Sequence, residues 1–234
     1  MMSARQIYLG SRRGPALPYD AEVEYLESTG TQYIDTGVIA ADNVGVQMDV
    51  VGGNTPSGPN FPTTMLFGVF GSDNRYGLGY NSRFFAWWNT ASPGESFSGA
   101  YSGTFSLNYN NSRTFACGTY YSGSLSGTYN ASNTQIRLLN ALRMDTGQNA
   151  FADCASCRFG AIRITQGMTL VRDLIPVRKG DAGYLYDRIT GQLLGNAGTG
   201  AFSFGTDIAG GGYKCLGYSP LRFSRFSRLW KEAA

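Results

Sequence analysis

At 234 residues the chain is long enough for one large β-sandwich, and its 32 glycines, 15 tyrosines and 14 phenylalanines are typical of a turn-rich sheet protein. Charged residues make up 15% of the chain, compared with roughly 25% in typical soluble domains, which argues against a helical bundle. The chain contains no histidine, so it lacks the residue that most often serves as a general base or metal ligand.

The net charge of +3 is distributed unevenly. Residues 1–19 carry +3 and residues 213–234 carry +4, so the intervening residues 20–212 carry −4. We interpret the ends as a basic N-terminal arm and a basic, aromatic C-terminal arm, flanking a single sandwich domain that spans residues 20–212. Such arms would steer the domain towards an acidic partner during assembly. The alternative is that both ends are solvated tails.

Short segments of alternating or continuous apolar residues, separated by turns rich in glycine, asparagine and serine, predict β-strands along the whole domain. In chain order, we predict strands at residues 21–26, 32–35, 43–51, 65–70, 76–80, 83–89, 104–109, 113–117, 118–121, 136–139, 158–166, 170–176, 184–187, 193–194 and 201–204. Residues 52–62 are predicted to be a loop because they are rich in glycine and proline, and Asn110 and Asn111 a tight hairpin turn. The sequence therefore predicts an all-β domain.

The two arms are predicted to differ from the domain in structure. The N-terminal arm contains two glycines and two prolines among basic residues and is expected to be extended. In the C-terminal arm, apolar side chains recur at steps of three and four residues beside a basic stripe, which indicates a short amphipathic helix or an arm laid on a partner. The predicted assembly contacts are Arg5, Arg12, Arg13, Arg222, Phe223, Arg225, Phe226, Arg228 and Trp230.

Four cysteines are present, at Cys117, Cys154, Cys157 and Cys215. A single Cys-x-x-Cys pair without histidine is a weak zinc motif, because a closed structural zinc site needs four nitrogen or sulfur ligands. Cys117 and Cys215 could supply the other two ligands, but we favour partly buried free thiols and expect no metal or other cofactor. The sequence shows no signal-peptide core and no apolar stretch approaching the ~18 residues of a membrane span. We therefore expect synthesis in the cytosol and no membrane association.

Three segments of the sequence resemble a known superfamily. They are YLESTGTQYIDTG at residues 25–37, LFGVFG at 66–71, and FGAIRITQGMTLVRDLIPVRKGDAGYLYDRITGQLLGNAGTGAF at 159–202. They are similar to concanavalin A-like jelly rolls, and more narrowly to the laminin-G-like modules of bacteriophage and prophage structural proteins and of some gut-bacterial surface proteins. The resemblance covers about residues 22–208 and implies a lectin-like antiparallel β-sandwich of jelly-roll topology.

In a jelly roll the first and last strands of the sandwich lie beside each other. The strand that contains Ile34 would therefore pair with, or neighbour, residues 161–176. Four charged residues close to this block are interpreted as ion pairs or turn braces at a sandwich edge rather than as a ligand site. They are Arg172, Asp173, Asp187 and Arg188.

The resemblance is less specific for function, because this fold carries lectins, glycosidases and structural modules. A glycosidase needs two carboxylates facing one cleft, and the sequence places two acids on one strand face at Glu22 and Glu24, where the resemblance implies no catalytic pair. No nucleophile elbow, phosphate loop or dinucleotide fingerprint occurs. We therefore predict a protein that is not an enzyme.

The absence of an export signal conflicts with the extracellular role that is common in this superfamily, and a virus particle resolves the conflict. We expect a structural protein on a phage-like virion surface, of capsid-decoration or head-fibre type, made in the cytoplasm of a bacterial host. The expected partners are other virion proteins and copies of the chain in a symmetric homo-oligomer such as a trimer. Nucleic acid is not expected, because the basic residues are few and divided between two ends.

The alternative function is a carbohydrate-binding module that recognises host-cell or mucus glycans, as a tail or bacterial surface adhesin. Sugars stack on exposed aromatic rings and form hydrogen bonds with amide groups. The residues predicted for this role are Trp87, Trp88, Asn89, Tyr120 and Tyr121. The competing interpretation is that many of these aromatic side chains fill the sandwich core.

Overall fold

The structure, a computed structural model, describes residues 16–55, 63–97, 99–108 and 113–208. These residues form an all-β domain of two sheets packed face to face, which confirms the predicted antiparallel β-sandwich. Within the same ranges, no helix has the length and apolar character needed to cross a membrane. Apart from residues 16–19, both predicted arms lie outside the described ranges.

The first sheet contains eleven strands. Its main path runs through β11 (Tyr121–Ser124), β10 (Thr114–Cys117), β9 (Gly99–Asn108), β4 (Val44–Thr55), β14 (Cys157–Gln166), β15 (Thr169–Lys179), β16 (Ala182–Asp187) and β17 (Leu193–Leu194). Three two-residue strands complete it: β1 (Ala21–Glu22) pairs with β15, β2 (Leu26–Glu27) pairs with β14, and β18 (Ser203–Phe204) pairs with β2.

The second sheet contains seven strands. Its main path runs through β3 (Ile34–Ile39), β12 (Gln135–Leu138), β5 (Thr64–Phe70), β6 (Arg75–Tyr80), β7 (Arg83–Asn89) and β8 (Gly94–Ser96). The seventh strand, β13 (Ala141–Arg143), pairs with β5 in parallel, whereas the main path is antiparallel throughout.

The core between the sheets follows from strand periodicity. On β4, alternate residues point inward, and Val44, Val46, Met48 and Val50 are all buried there. They pack in one cluster with alternate residues of β7, on the opposite sheet. Burial of each such aliphatic side chain contributes roughly 1.5–3 kcal/mol, so this alternation is a main source of the stability of the sandwich.

The second sheet is also covered on its outer face. Met65, Phe85, Trp87 and Ala141 form a separate buried cluster there, against which Phe151 packs. This cover explains why the central residues of β5 and β7 form continuous apolar runs instead of alternating, since a strand buried on both faces needs apolar residues on both.

The strand that contains Ile34 does not pair with residues 161–176, which was one of the two alternatives predicted for it. This strand, β3, pairs with β12 in the second sheet, where the guanidinium of Arg137 binds both carboxylate oxygens of Asp35 at 2.7 and 3.1 Å. Its link to β15 is a side-chain contact, in which Arg172 Nε donates to the Thr36 carbonyl at 3.1 Å. A buried arginine needs its paired acid, so the Asp35–Arg137 pair favours the observed register.

Several predicted boundaries also require correction. The strand predicted at 32–35 is β3, which runs to Ile39, and the strand predicted at 104–109 is β9, which begins at Gly99. The predicted strand at 21–26 is divided into β1 and β2, because the chain moves here from pairing with β15 to pairing with β14. The predicted loop at 52–62 begins too early, since β4 continues to Thr55. Residues 118–120 form a turn, and β11 begins at Tyr121. The hairpin of β9 and β10 is confirmed, although its turn at Asn110 and Asn111 lies outside the described residues.

Candidate functional site

The two predicted glycan-binding tryptophans do not present their rings to solvent. Trp87 and Trp88 are neighbours on β7, so their side chains point to opposite faces of the sheet, and they are 5% and 1% exposed. Trp88 packs on Tyr76 and Tyr129 in the main core, and its Nε1 donates to the Gly127 carbonyl at 3.1 Å. Trp87 lies in the outer apolar cluster. Neither indole therefore offers a free face to a sugar in this structure.

The amide of Asn89 braces a loop. Asn89 ends β7 with a φ of +55°, and its Nδ2 donates to the Thr128 carbonyl at 2.8 Å. Its Oδ1 accepts from the backbone N–H of Asn130, also at 2.8 Å. Both sides of the amide are thus used in holding the loop that follows β11.

The two predicted tyrosines lie in different surroundings. Tyr120 lies in the turn before β11, where its ring packs on Phe84 and Phe97 with centroid distances of 5.6 and 4.5 Å. Its hydroxyl oxygen accepts from the backbone N–H of Ser102 at 3.1 Å. Tyr121 begins β11 and packs on Phe115. Of the five predicted residues, Tyr120 lines the cavity described next.

A cavity of about 520 Å³ lies at one end of the first sheet, where β2, β4, β9 and β14 meet. The pairing of β4 with β9 shifts register between Val50 and Gly53, and such irregularities mark bulges in a strand. A Cβ atom at Gly52 would meet nothing within 4 Å, whereas one at Gly53 would collide with the ring of Tyr101. Gly52 therefore leaves space open that a side chain would fill, whereas Gly53 allows the Tyr101 ring to approach and form part of the cavity wall.

An ion pair forms one side of the cavity. Arg158 Nε donates to Glu27 Oε1 at 3.1 Å, and the guanidinium carbon of Arg158 lies 5.0 Å from the centre of the Tyr25 ring. Glu27 Oε2 also accepts from the hydroxyl of Ser203 at 3.4 Å. Burial raises the pKa of the Cys157 thiol in the cavity wall to about 12, so this thiol is neutral at physiological pH.

Sequence reasoning missed Glu27, Arg158 and the exposed Val51 as cavity residues. Glu27 and Arg158 are 131 positions apart, so no local motif contains them both. The adjacent glycines at 52 and 53 were a usable signal, because glycine within a strand pattern suggests a bulge or a close approach of other groups.

The bases of the two arms lie side by side. Val23 and Asp207 form an antiparallel bridge, Glu24 N–H donates to the Thr206 carbonyl at 3.1 Å, and Ile208 N–H donates to the Glu22 carbonyl at 2.9 Å. The chain therefore enters and leaves the sandwich at one place. The predicted assembly contacts on the arms, at positions 5–13 and 222–230, are outside the described residues.

An arginine connects the two arm bases. Arg178 binds both carboxylate oxygens of Asp207 at 2.7 Å, and its third nitrogen lies 3.8 Å from Asp20. The hydrogen bonds between Arg178 and Asp207 raise the pKa of the guanidinium and lower that of the carboxyl group. Arg178 and Asp207 are therefore both charged at neutral pH.

Tyr19 anchors the end of the N-terminal arm to the outer face of the first sheet. Its ring lies 4.9 Å from that of Tyr186 and packs with Ile175 and Val177, and its hydroxyl donates to Glu22 Oε1 at 3.1 Å. Burial raises the pKa of both Tyr19 and Glu22. The arm is thus held by apolar packing and by a buried hydrogen bond.

Most arginines of the described domain form ion pairs within it. The pairs are Arg113–Asp42, Arg137–Asp35, Arg143–Asp145, Arg158–Glu27, Arg163–Asp173, Arg172–Asp187, Arg178–Asp20, Arg178–Asp207 and Arg188–Asp173. They include all four charged residues of the closing block, in agreement with the interpretation of these residues as braces. The block differs from a surface cluster in one respect, because Asp187 is fully buried.

Cys117, Cys154 and Cys157 are free and buried, as favoured from the sequence, whereas Cys215 lies outside the described residues. Burial raises the pKa of all three thiols. In the described ranges, no group of three or more cysteine, aspartate or glutamate side chains is arranged to hold a metal ion.

Comparison with known proteins finds no matching family model, no matching curated protein and no matching solved structure. The β-sandwich is therefore established by its own strand pairing, while the jelly-roll topology and the superfamily suggested by the sequence stay predictions.

Proposed function

We propose that the chain is a non-enzymatic structural protein on the surface of a phage-like particle, where its two arms fix a lectin-like sandwich to neighbouring subunits. The observation that carries the proposal is the joint position of the arm bases, where residues 22–24 pair with residues 206–208. Arms that leave together reach the same neighbour. Binding of one arm then raises the effective concentration of the other, so two weak contacts act as one strong anchor.

The distribution of charge supports the same proposal. The arginines of the sandwich are largely engaged by its own acids, whereas the arms carry +3 and +4 against a domain charge of −4. Exposed acids such as Glu24, Glu95 and Asp153 are suited to receive basic arms. The proposed partners are therefore acidic surfaces of other particle proteins and the sandwiches of further copies in a symmetric homo-oligomer.

The carboxylates support a role without catalysis. Among the described residues that line the cavity, Glu27 is the acid, and it is bound by Arg158. A glycosidase requires a second carboxylate within about 5–10 Å across the cleft. The pair Glu22 and Glu24 does not meet this requirement, because Glu22 is buried under Tyr19 on the opposite side of β14 from the cavity wall of β4.

Arm deletion tests the proposal. Chains lacking residues 1–15, residues 209–234 or both are expressed with the remaining particle proteins, and incorporation is measured by sedimentation and mass spectrometry. We expect each deletion to reduce incorporation and the double deletion to abolish it. Neutralising Arg222, Arg225 and Arg228 with glutamine should weaken incorporation and its salt dependence. The matched comparison uses two double variants, one that neutralises Arg225 and Arg228 on the arm and one that neutralises Arg83 and Lys179 on the sandwich.

Full incorporation of the double deletion would refute arm-mediated assembly. Equal losses in the double arm variant and the double sandwich variant would show that total charge, and not the arms, determines incorporation.

A second candidate function is the recognition of host-cell or mucus glycans. The observation that favours it is the open cavity at the end of the first sheet, which contains Tyr120. The two functions are compatible in one protein, because the arms would attach the sandwich while the cavity would bind the glycan.

A further inference from the structure

The cavity at the end of the first sheet has no net charge. Glu27 and Arg158 are its charged lining residues in the described part of the chain, and they neutralise each other through the hydrogen bond at 3.1 Å. Cys157 is held neutral by its raised pKa, and burial likewise raises the pKa of Tyr101 well above its ordinary value. An anionic or cationic ligand would therefore find no unbalanced counter-charge in this wall.

The same wall offers hydrogen-bonding groups with unused capacity. Arg158 is bound through Nε, and within the described ranges its two terminal nitrogens have no acceptor. The hydroxyl of Tyr120 accepts from Ser102 N–H, but its own proton has no acceptor in those ranges. The exposed hydroxyls of Ser102 and Ser156 also line the space. The terminal nitrogens of Arg158 and the Tyr120 hydroxyl can therefore donate, and the two serine hydroxyls can donate or accept, within one small volume.

These groups are positioned before any ligand arrives. The Tyr120 ring is fixed by its packing on Phe84 and Phe97, and Arg158 is held between Glu27 and the Tyr25 ring. Prior ordering reduces the entropy cost of binding. The volume of about 520 Å³ falls within the ~300–1,000 Å³ range of small-ligand sites.

An apolar wall completes the site. Val51 is 49% exposed on β4 and lines the cavity, whereas the Tyr101 ring fills the space over Gly53, is 2% exposed and closes the inner side of the cavity. A pyranose has this combination of surfaces, with C–H groups on one face and hydroxyls around its edge.

We infer that this cavity binds an uncharged saccharide, with Tyr120, Arg158 and Glu27 as its hydrogen-bonding residues and Val51 as its apolar wall. The inference rests on the second proposed function and specifies its site and its ligand class. It moves the glycan site from Trp87, Trp88 and Asn89 to residues that face open space. Tyr120 is common to both sets.

The experiment measures binding of the full chain to methyl glycosides of neutral hexoses and N-acetylhexosamines. Sialylated and sulfated glycans are tested in the same way for comparison. Affinities are measured by saturation-transfer NMR and calorimetry. Tyr120→Phe removes one hydroxyl donor and keeps the ring, so we expect affinity to fall about 2- to 12-fold. Tyr121→Phe is the matched control, because it makes the same chemical change on a residue outside the cavity wall, and we expect no change.

Glu27→Gln tests the charge argument separately, because it leaves Arg158 unpaired and gives the cavity a charge of +1. We expect this variant to lose affinity for neutral sugars and to shift its preference towards anionic glycans. Unchanged thermal unfolding of each variant confirms that the fold is intact.

Three results would overturn the inference. The first is the absence of neutral-sugar binding at millimolar concentration, and the second is equal affinities of the wild type and Tyr120→Phe. The third is occupation of the cavity by a peptide of residues 213–234, detected as sugar-independent shifts of the Tyr120 resonances. Normal particle incorporation of Tyr120→Phe and Glu27→Gln would show that such a failure concerns the cavity and leaves the structural role standing.

Discussion

Asp187 provides a direct test of how the closing strands are held together. Its side chain is completely buried at the end of β16. It accepts hydrogen bonds from the backbone N–H groups of Asp173 at 3.1 Å and Ile189 at 3.0 Å, and from the Thr190 hydroxyl at 2.8 Å. Arg172 Nε lies 3.6 Å from the same carboxylate. One side chain therefore links β15 to the turn that follows β16.

Asp187→Asn keeps the size of the side chain but removes its charge and one acceptor oxygen. In one orientation the new amide nitrogen faces the backbone N–H groups of Asp173 and Ile189. In the other it can donate to the Thr190 hydroxyl, which can also accept, but it faces Arg172 Nε. A hydrogen bond to a charged group contributes roughly 1.5–3 kcal/mol, and breaking a buried ion pair costs roughly 3–5 kcal/mol. The Arg172 side chain is 22% exposed, so water can solvate it once its partner is neutral. We therefore expect a loss at the lower end of this range, about 3 kcal/mol in the free energy of unfolding.

Urea denaturation of the full chain at neutral pH measures this loss. Asp145→Asn is the matched control, since Asp145 forms two hydrogen bonds with Arg143 at 2.9 and 2.6 Å but is exposed. Water replaces an exposed partner, so the control should lose far less stability than Asp187→Asn. A loss in Asp187→Asn no greater than in the control would refute the view that burial makes this brace strong.

Two further predictions concern ionisation. Burial raises the pKa of Glu22, so the free energy of unfolding of the wild type should fall as the pH rises from the ordinary carboxyl pKa through the raised value. Glu22→Gln should remove this fall, because its side chain is neutral at every pH and its oxygen can still accept from Tyr19. Parallel curves of stability against pH for the two proteins, over about pH 4–8, would contradict this prediction. Burial also raises the pKa of Cys117 and Cys157 to about 12, so both should resist iodoacetamide at neutral pH until urea unfolds the chain, as read by mass spectrometry. Rapid labelling of either thiol in the folded protein would mean that the strands around it open.

Much of the fold could be predicted because local patterns carry it. The alternation along β4, the apolar runs of β5 and β7, and the turns between β14, β15 and β16 depend on residues close in sequence. The charges of the closing block were also predicted to brace one another. Arg172 and Asp173 lie on the strand paired with the one that ends at Asp187, so a hairpin brings them together without help from the rest of the chain.

The candidate site could not be predicted in the same way, because its parts come from four strands that are distant in sequence. Tyr120 was selected as an aromatic residue near a turn, but Glu27 and Arg158 meet only once β2 has inserted beside β14. The tryptophans show the converse error. Their sequence context is aromatic and polar, and nothing local indicates that Phe151 packs over the outer face of β7.

The sequence by itself determined an all-β domain with basic ends, since the period of apolar residues and the positions of turn formers act over a few residues. The tertiary structure decided which strands share a sheet, which aromatic rings are buried, and where the cavity opens. It also decided that residues 20 and 207 flank the same arginine, Arg178. These features depend on contacts between segments that are distant in sequence, by as many as 131 positions between Glu27 and Arg158, and the local patterns that predict strands contain no information about such contacts.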